Sequence, residues 1–443
     1  MERESNNNMI TLEGIFSKDN LSIAMQKVKA NKGAPGIDGL TCDDFPQWFF
    51  DHPKELTNAI MNGTYKPKPI KRVYIPKDNG EKRPLGIPCM IDRIVQQAIA
   101  MALSEEYDEG FSESSYGFRP CRGAHDAIKA ITRYLNQGYC YVVDLDIAKF
   151  FDTVSHSKIL RLLSERIKDG RVISIINKTL KAKIIDEGSV TLPKCGLTQG
   201  APCSPVLANI LLDLLDKELE RRCHKFARYA DDVIIVCKSQ KAALRTFDSI
   251  KKFIEESLLL KINEEKSKVS YISTGIKYLG FGFFKQVTRN QDKTMSRYRA
   301  IVHKKSKTRL RNKLKFEFLS RNLKKSLEDI KDALTVYLMG WSHYFALGIT
   351  RTNMRRIEEW IRHKIRCMYL TCWKKNSTKE QEFNKLKTNS EEICHIVAHS
   401  SLGKWAKSLF ANKIITNKVI YEKWKWPSIM RIVRTKAWTV LGY

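Results

Sequence analysis

In FARYADDVIIVCKS, residues 226–239, two runs rich in β-branched and aromatic residues flank a pair of adjacent aspartates, Asp231 and Asp232. Such runs predict two strands folded about a tight turn. Two carboxylates side by side at a turn repel unless solvent or a cation compensates them, and a divalent metal resolves the conflict. Taken alone, a YADD tetrapeptide is more often an ordinary polar hairpin turn. Its neighbours in the chain decide between the two.

Upstream, YCYVVDLDI (139–147) is a third β-rich run that ends on Asp146. A carboxylate in so apolar a strand is costly unless it is paired or holds a metal. Asp144 has the same side-chain parity and is the rival ligand. Between the runs, SPVLANILLDLLDKELERR (204–222) has helical spacing; a helix at about 240–258 and a strand near 267–273 follow. Strand, helix, strand, strand, helix, strand is the split βαβ plan, which brings Asp146 beside Asp231 across 85 residues of sequence. The fold class expected is therefore α+β. Oxygen-only donors suit magnesium, and two such ions can activate a 3′-hydroxyl while stabilising a leaving pyrophosphate.

Charge points to the partner. The chain carries 78 Lys and Arg against 48 Asp and Glu, a formal +30. Residues 291–443 hold 34 basic and 12 acidic residues, a net +22, whereas residues 1–290 contribute +8. A basic surface of this size attracts nucleic acid through counterion release. Eleven cysteines without short paired spacings argue for a reducing compartment. The start MERESNNNMI lacks a signal pattern, and no apolar run approaches the ~18 residues of a membrane helix, so a soluble, cytoplasmic protein without a membrane partner is expected. Cys and His cluster only at Cys367/Cys372 and Cys394/His395/His399, without the two paired ligand sets of a structural zinc site, and zinc is not expected.

Elsewhere, LSIAMQKVKA (21–30) predicts a helix ended by the glycines and proline of NKGAPGIDG (31–39). YKPKPIKRVYIPKDNGEKRPLGIP (65–88) predicts a hairpin with a basic rim, and IDRIVQQAIAMALSEEY (91–107) a helix. From about residue 304 three helices are expected within RLRNKLKFEFL, LKKSLEDIKDALTVYLMGWSHYF and MRRIEEWIRHKIRCMYLTCW, each with an apolar stripe and a basic face. The shape of residues 385–443 cannot be read.

Together VVDLDIAKFFD, GLTQGAPCSPVLANILLDLLD, YADD, LKINEEKSKV and YLGFGF resemble the successive palm blocks of the reverse transcriptases of group II introns, the intron-encoded maturases. NKGAPGIDG resembles the amino-terminal extension of the intron and non-LTR branch, VYIPKDNGEKRPLGIP the fingers hairpin, SSYGFRPCRGAHDAI the block that follows it, and YLMGWSHYF part of the thumb and maturase region. No paired-cysteine HNH pattern follows the thumb, which points to the bacterial form lacking that endonuclease domain.

The resemblance implies a right-hand polymerase, with fingers and a split-βαβ palm followed by an α-helical thumb and maturase region. It divides the chain into an N-terminal helical segment (1–30), fingers with the extension (31–135), a palm (136–290), a thumb and maturase domain (291–375) and a basic RNA- or DNA-binding region (376–443). Asp146, Asp231 and Asp232 match the metal ligands, and the five-residue step from Asp146 to Phe151, the aromatic gate against a 2′-hydroxyl, favours Asp146 over Asp144. Phe150 and Phe151 can equally be core residues. Gln199 and Gly200 match the segment that packs on the nascent pair, while Thr198, Ala201 and Cys203 depart from the usual PQGGPLSP form and alter the walls of the nucleotide pocket. Lys77 and Arg83 match the triphosphate contacts, Arg119 contacts template or supports the site, and Lys266 matches a general acid for pyrophosphate, with Lys268 close by. Trp341, Tyr344 and Phe345 read as helix core.

The cofactors implied are two Mg²⁺ ions, with Mn²⁺ a possible substitute. Intron RNA as template, a DNA primer or target and dNTPs are the expected partners. The expected activity is RNA-directed DNA polymerisation for a mobile group II intron, with help in splicing and retrohoming. A splicing factor with a relict polymerase, and a domesticated polymerase in phage defence or DNA repair, are the alternatives; all three aspartates being intact favours the enzyme.

Overall fold

The computed structural model describes residues 10–52, 54–76, 80–290, 293–320, 325–400 and 409–440. The chain divides into two compact units, Met1–Tyr271 and Ile272–Tyr443. Among its described residues the first unit holds the strands β1 (Ile70–Pro76), β2 (Lys82–Ile87), β3 (Tyr141–Leu145), β4 (Ile184–Asp186), β5 (Ser189–Thr191), β6 (Lys225–Tyr229), β7 (Asp232–Cys237) and β8 (Lys268–Tyr271).

These form two four-stranded sheets, ordered β2-β1-β4-β5 and β6-β7-β3-β8. In the second, β3 is antiparallel to both β7 and β8, so the strand that ends at Asp146 lies between the YADD hairpin and the strand that follows Lys266. Alternation along β3 turns Val143 and Leu145 into one continuous core with Phe226, Val233 and Ile235. Leu207, Leu211 and Leu215 of the helix Ser204–Arg221, and Ile250 and Ile254 of the helix Gln240–Glu256, fill the same core. Local chemistry sets the helix starts. Pro205 sits in the first turn, where a missing N–H costs nothing, and the Ser239 hydroxyl accepts from the Ala242 N–H at 3.2 Å.

The 65–88 segment forms the expected hairpin, with β1 antiparallel to β2. Its tip, residues 77–79, lies outside the described residues, and the Lys77 assignment lies there with it. The helix Lys18–Ala30 packs on the helix Met90–Asp108.

The second unit opens on a feature not foreseen from sequence, a long antiparallel hairpin of β9 (Phe281–Asn290) and β10 (Lys293–Val302). The three expected helices then follow as Lys304–Lys313, Leu327–Tyr344 and Arg351–Cys372, and the first runs on into a π-helical turn at Leu314–Phe318. Helices Asn376–Leu386, Glu391–His399, Leu409–Ile414 and Ile429–Val440 supply the shape that residues 385–443 left unread. Buried Glu358 joins distant parts of this unit. Its carboxylate accepts from Ser428 Oγ (2.9 Å), Met430 N–H (3.1 Å) and Tyr421 O–H (2.9 Å), so four-residue spacing to Arg362 is only part of its environment. Phe345 is core, whereas Tyr344 is 41 % exposed and donates its O–H to the Leu279 carbonyl at 3.0 Å. Among the described residues no helix is long and apolar enough to cross a membrane. Helices and sheets combine here as an α+β fold, as the strand and helix order implied.

Candidate active site

Tyr229 and Asp232 are the last pair of the β6–β7 hairpin, leaving Ala230 and Asp231 as a two-residue turn. Ala230 has φ of +56°, a region that costs a residue with a Cβ about 1 kcal/mol or more. Two contacts hold it there. Arg228 Nη1 donates to the Ala230 carbonyl at 3.1 Å, and Gly117 lies so close that a Cβ on it would stand 2.4 Å from the Ala230 nitrogen.

Across the sheet, β3 ends with the pair Leu145↔Val233, so one further step in register sets Asp146 opposite Asp232. The Asp146 backbone is fixed on its other side. Its N–H donates to Ser267 Oγ at 2.9 Å, and its carbonyl accepts from the Asn263 N–H at 2.8 Å.

Burial raises the Asp231 carboxyl above the usual aspartate range, opposed by the Arg83 guanidinium and reinforced by the negative charge of Asp146. Lys266 Nζ stands 3.5 Å from Asp146 Oδ2, with the lysine side chain 64 % exposed and the carboxylate 35 %. The rival Lys268 instead lies opposite Asp144 in the β3–β8 ladder. Burial pushes Asp144 up to about 6, with Lys268 pulling it down and Asp146 pushing it further up. The three aspartates offer oxygen donors only, and Asp231 is desolvated; oxygen donors are the kind that suit a hard divalent cation. Among the described residues the three do not gather with every pair of ligand oxygens within 4.8 Å.

A second wall of the site is built by a loop fastened to β2. Arg83 Nε donates to Gln199 Oε1 at 2.8 Å, and the Gly86 N–H donates to the Gln199 carbonyl at 2.8 Å. The approach demands glycine on both sides. A Cβ on Gly86 would stand 2.3 Å from Thr198 Cγ2, and Gly200, at φ +106°, would place one 2.7 Å from the Gly86 carbonyl oxygen. Thr198 thus packs on Gly86. Cys203 and Ala201 are buried, the Cys203 thiol lying 3.6 Å from Gln96 Oε1, so that thiol faces the interior rather than a pocket wall.

Phe150 is core, and Phe151 is half-buried with its ring edge-on to it, centroids 5.3 Å apart. The Leu197 N–H donates to the Phe151 carbonyl at 2.6 Å, which ties Phe151 to the loop that carries Gln199. The structure therefore brings Asp146, Asp231, Asp232, Lys266, Arg83, Gln199, Gly200 and Phe151 into one region of the first unit. Arg119 is different. Its side chain is 3 % exposed, and its guanidinium is engaged by Asp108 Oδ1 (2.7 Å) and the carbonyls of Asp108, Ser112 and Ser115. Its guanidinium is spent on interior partners and offers template no free face.

Several residues that shape the site were missed in the sequence. Arg228, wholly buried, donates to both oxygens of Asp216, to Asn209 Oδ1 (2.9 Å) and to Ser115 Oγ (2.7 Å). Asn209 in turn donates to the Gly117 carbonyl at 2.9 Å. The available signal was polar residues at core positions of an apolar helix, Asn209, Asp213 and Asp216, beside a lone arginine in the strand before YADD.

The profile of the family "Reverse transcriptase (RNA-dependent DNA polymerase)" matches residues 75–283, and that of "Group II intron, maturase-specific domain" matches residues 307–386. Protein YkfC of Escherichia coli (strain K12) is 32 % identical over 311 residues, covering 61 % of this chain and 81 % of YkfC. The group II intron-encoded protein LtrA of Lactococcus lactis subsp. cremoris is 29 % identical over 356 residues, covering 63 % of this chain and 59 % of LtrA. A putative COX1/OXI3 intron 2 protein of Saccharomyces cerevisiae is 30 % identical over 59 % of this chain and 37 % of its own length. The first profile runs from the end of β1 to the start of β9, including all three aspartates. The chain belongs to the group II intron-encoded reverse transcriptases, RNA-directed DNA polymerases that carry a maturase domain.

Proposed function

We propose that this chain copies intron RNA into DNA with Asp146 and Asp231 as the shared metal ligands and Asp232 as an auxiliary one. The observation that carries the reading is the meeting of Asp231, desolvated and coupled to Asp146, with Arg83 at the junction of β3, β7 and the fingers hairpin. Two Mg²⁺ ions, or Mn²⁺ in their place, would lower the pKa of the primer 3′-hydroxyl and neutralise charge on the departing pyrophosphate.

The protein's own groups have separate tasks. Arg83 and Lys77 balance the charge of the dNTP triphosphate, Arg as a planar fork and Lys as a point cation. Gln199 and Gly200 hold the nascent pair; the hydrogen bond from Arg83 to Gln199 supports their acting together. Phe151 excludes the 2′-hydroxyl, and Lys266 gives a proton to pyrophosphate, a role supported by its approach to Asp146. Arg119 positions the loop that follows the helix Met90–Asp108 through its buried bonds.

We assign residues 31–135 to fingers, 136–290 to palm, 291–375 to thumb and maturase, and the basic 376–443 region to RNA or DNA binding. The net +22 of residues 291–443 supports recognition of A-form RNA and RNA:DNA duplex by backbone and shape. With the maturase match, it also supports assistance to intron splicing and retrohoming. Eleven cysteines without short paired spacings support action in a reducing cytoplasm.

The test joins both activities in one preparation. Purified protein should extend a DNA primer on an RNA template with dNTPs and Mg²⁺ and accelerate splicing of its intron RNA. Phe151→Ala should admit ribonucleotides at least ten-fold more readily; unchanged sugar selectivity removes Phe151 from the gate. Splicing without any extension by wild type contradicts the polymerase assignment.

A further inference from the structure

Three metal-capable side chains converge far along the chain from the aspartates. Glu380 lies on the helix Asn376–Leu386, and His395 and His399 lie one turn apart on the helix Glu391–His399. Four-residue spacing puts both imidazoles on one helix face, where their rings stack with centroids 4.5 Å apart. Glu380 offers one oxygen to each. His395 Nδ1 is 2.9 Å from Oε1, and His399 Nε2 is 3.0 Å from Oε2. One ligand atom from each residue lies within 4.8 Å of the others, and among the described residues this is the one such set of three.

We propose that Glu380, His395 and His399 form a zinc-binding site that clips these two helices together. Two imidazoles and one carboxylate are a three-protein-ligand set used by zinc, with water in the fourth place. Zinc to ligand distances of ~2.0–2.2 Å put neighbouring donors of a tetrahedron ~3.3–3.5 Å apart. The present nitrogen to oxygen distances are only a few tenths of an ångström shorter, so small side-chain rotations open the set. His395 is 58 % exposed and His399 43 %, which gives an ion entry and leaves room for water. Glu391 and Glu392 line the same depression, so a cation approaching this patch meets negative charge within the most basic part of the chain. Cys394 is fully buried and is not a ligand.

The ligand chemistry also separates the two metals. Imidazole nitrogen selects zinc over magnesium, whereas the oxygen-only aspartates select magnesium. The zinc clip crosses the turn at Lys387, a residue at φ +53°, and fixes the angle between helices on either side of it.

Cobalt(II) is the probe. Full-length protein should bind one Co²⁺ per chain with the visible absorption of tetrahedral nitrogen and oxygen ligation, without a thiolate charge-transfer band, and Zn²⁺ should displace it. His395→Ala and His399→Ala should abolish that band and Glu380→Gln weaken binding at least ten-fold, while circular dichroism and Tm in EDTA match wild type. A measurement without variants covers the case in which they misfold. In wild type, Zn²⁺ should protect His395 and His399 from diethylpyrocarbonate at least ten-fold, mapped by mass spectrometry. Absence of the tetrahedral band in wild type, or equal modification of both histidines with and without Zn²⁺, overturns the site and leaves a hydrogen-bonded Glu–His–His cluster.

Discussion

Arg228 and Asp216 face each other with neither side chain exposed to solvent, directly behind the turn that carries Asp231 and Asp232. Burial raises the Asp216 carboxyl, and the guanidinium pulls against that rise. The pair is best understood as a positioning device. Arg228 reaches from Asp216 to the Ala230 carbonyl, so the helix Ser204–Arg221 sets the height of the turn at Ala230 and Asp231. Removing one partner leaves the other charged in the interior, which costs about 3–5 kcal/mol. Asp216→Ala should lose that much in urea unfolding, and it should lower kcat more than it raises KM for dNTP. A loss under 1 kcal/mol would contradict the account of the turn.

Arg83 joins the β1–β2 hairpin to Gln199 while lying near enough to Asp231 to oppose the burial-driven rise of its carboxyl. It is exposed, so its removal touches stability little. A charge-assisted hydrogen bond is worth about 1.5–3 kcal/mol. Arg83→Ala should therefore reduce kcat/KM for dNTP by about ten- to a hundred-fold in steady-state extension, with Tm within about 2 °C of wild type. An unchanged kcat/KM would remove Arg83 from the nucleotide site.

Asp144 carries the clearest pH signature. Its folded pKa of about 6 lies above the ordinary 3.8 because of burial, so the folded protein holds its proton more tightly than the unfolded chain does. The cost of ionising it is absent below about pH 4 and complete above about pH 6, and this contribution to stability is lost as pH rises through that window. Asp92, also raised to about 6 by burial, titrates in the same range, so the comparison must be between variant and wild type. Asp144→Asn should be more stable by about 1–3 kcal/mol at pH 7.5, equal at pH 4, and should keep polymerase activity within about five-fold. Loss of activity like that expected for Asp146→Asn would make Asp144 a ligand after all.

Much of the β6-β7-β3-β8 sheet and its helices was legible because their signals are local. The strand, turn and strand of residues 226–239 appear as β6 and β7, and the helices at 204–222 and 240–258 appear within two residues of their expected ends. The Asp144 and Asp146 alternatives separate in the structure: Asp144 lies inside β3 opposite Ile234 and Lys268, whereas Asp146 leaves its end. The β9–β10 hairpin was missed because FKQVTRNQDKTMSRYR mixes charge into its alternation and reads as a solvated loop. Arg228 was missed for the opposite reason. A charge in a strand reads as an outward residue, and only partners 12, 19 and 113 positions away show that it is interior. Glu380 escaped in the same way, since a ligand from another helix does not enter the spacing of Cys394, His395 and His399.

The central claim is that Asp231 is a metal ligand of a working RNA-directed DNA polymerase, and the most direct measurement is single-turnover extension of a DNA primer on an RNA template with dNTPs and Mg²⁺. Wild type should extend the primer, and Asp231→Asn, of unchanged fold by circular dichroism and near-isosteric, should be at least 10³-fold slower. Extension by Asp231→Asn within ten-fold of wild type would contradict the account.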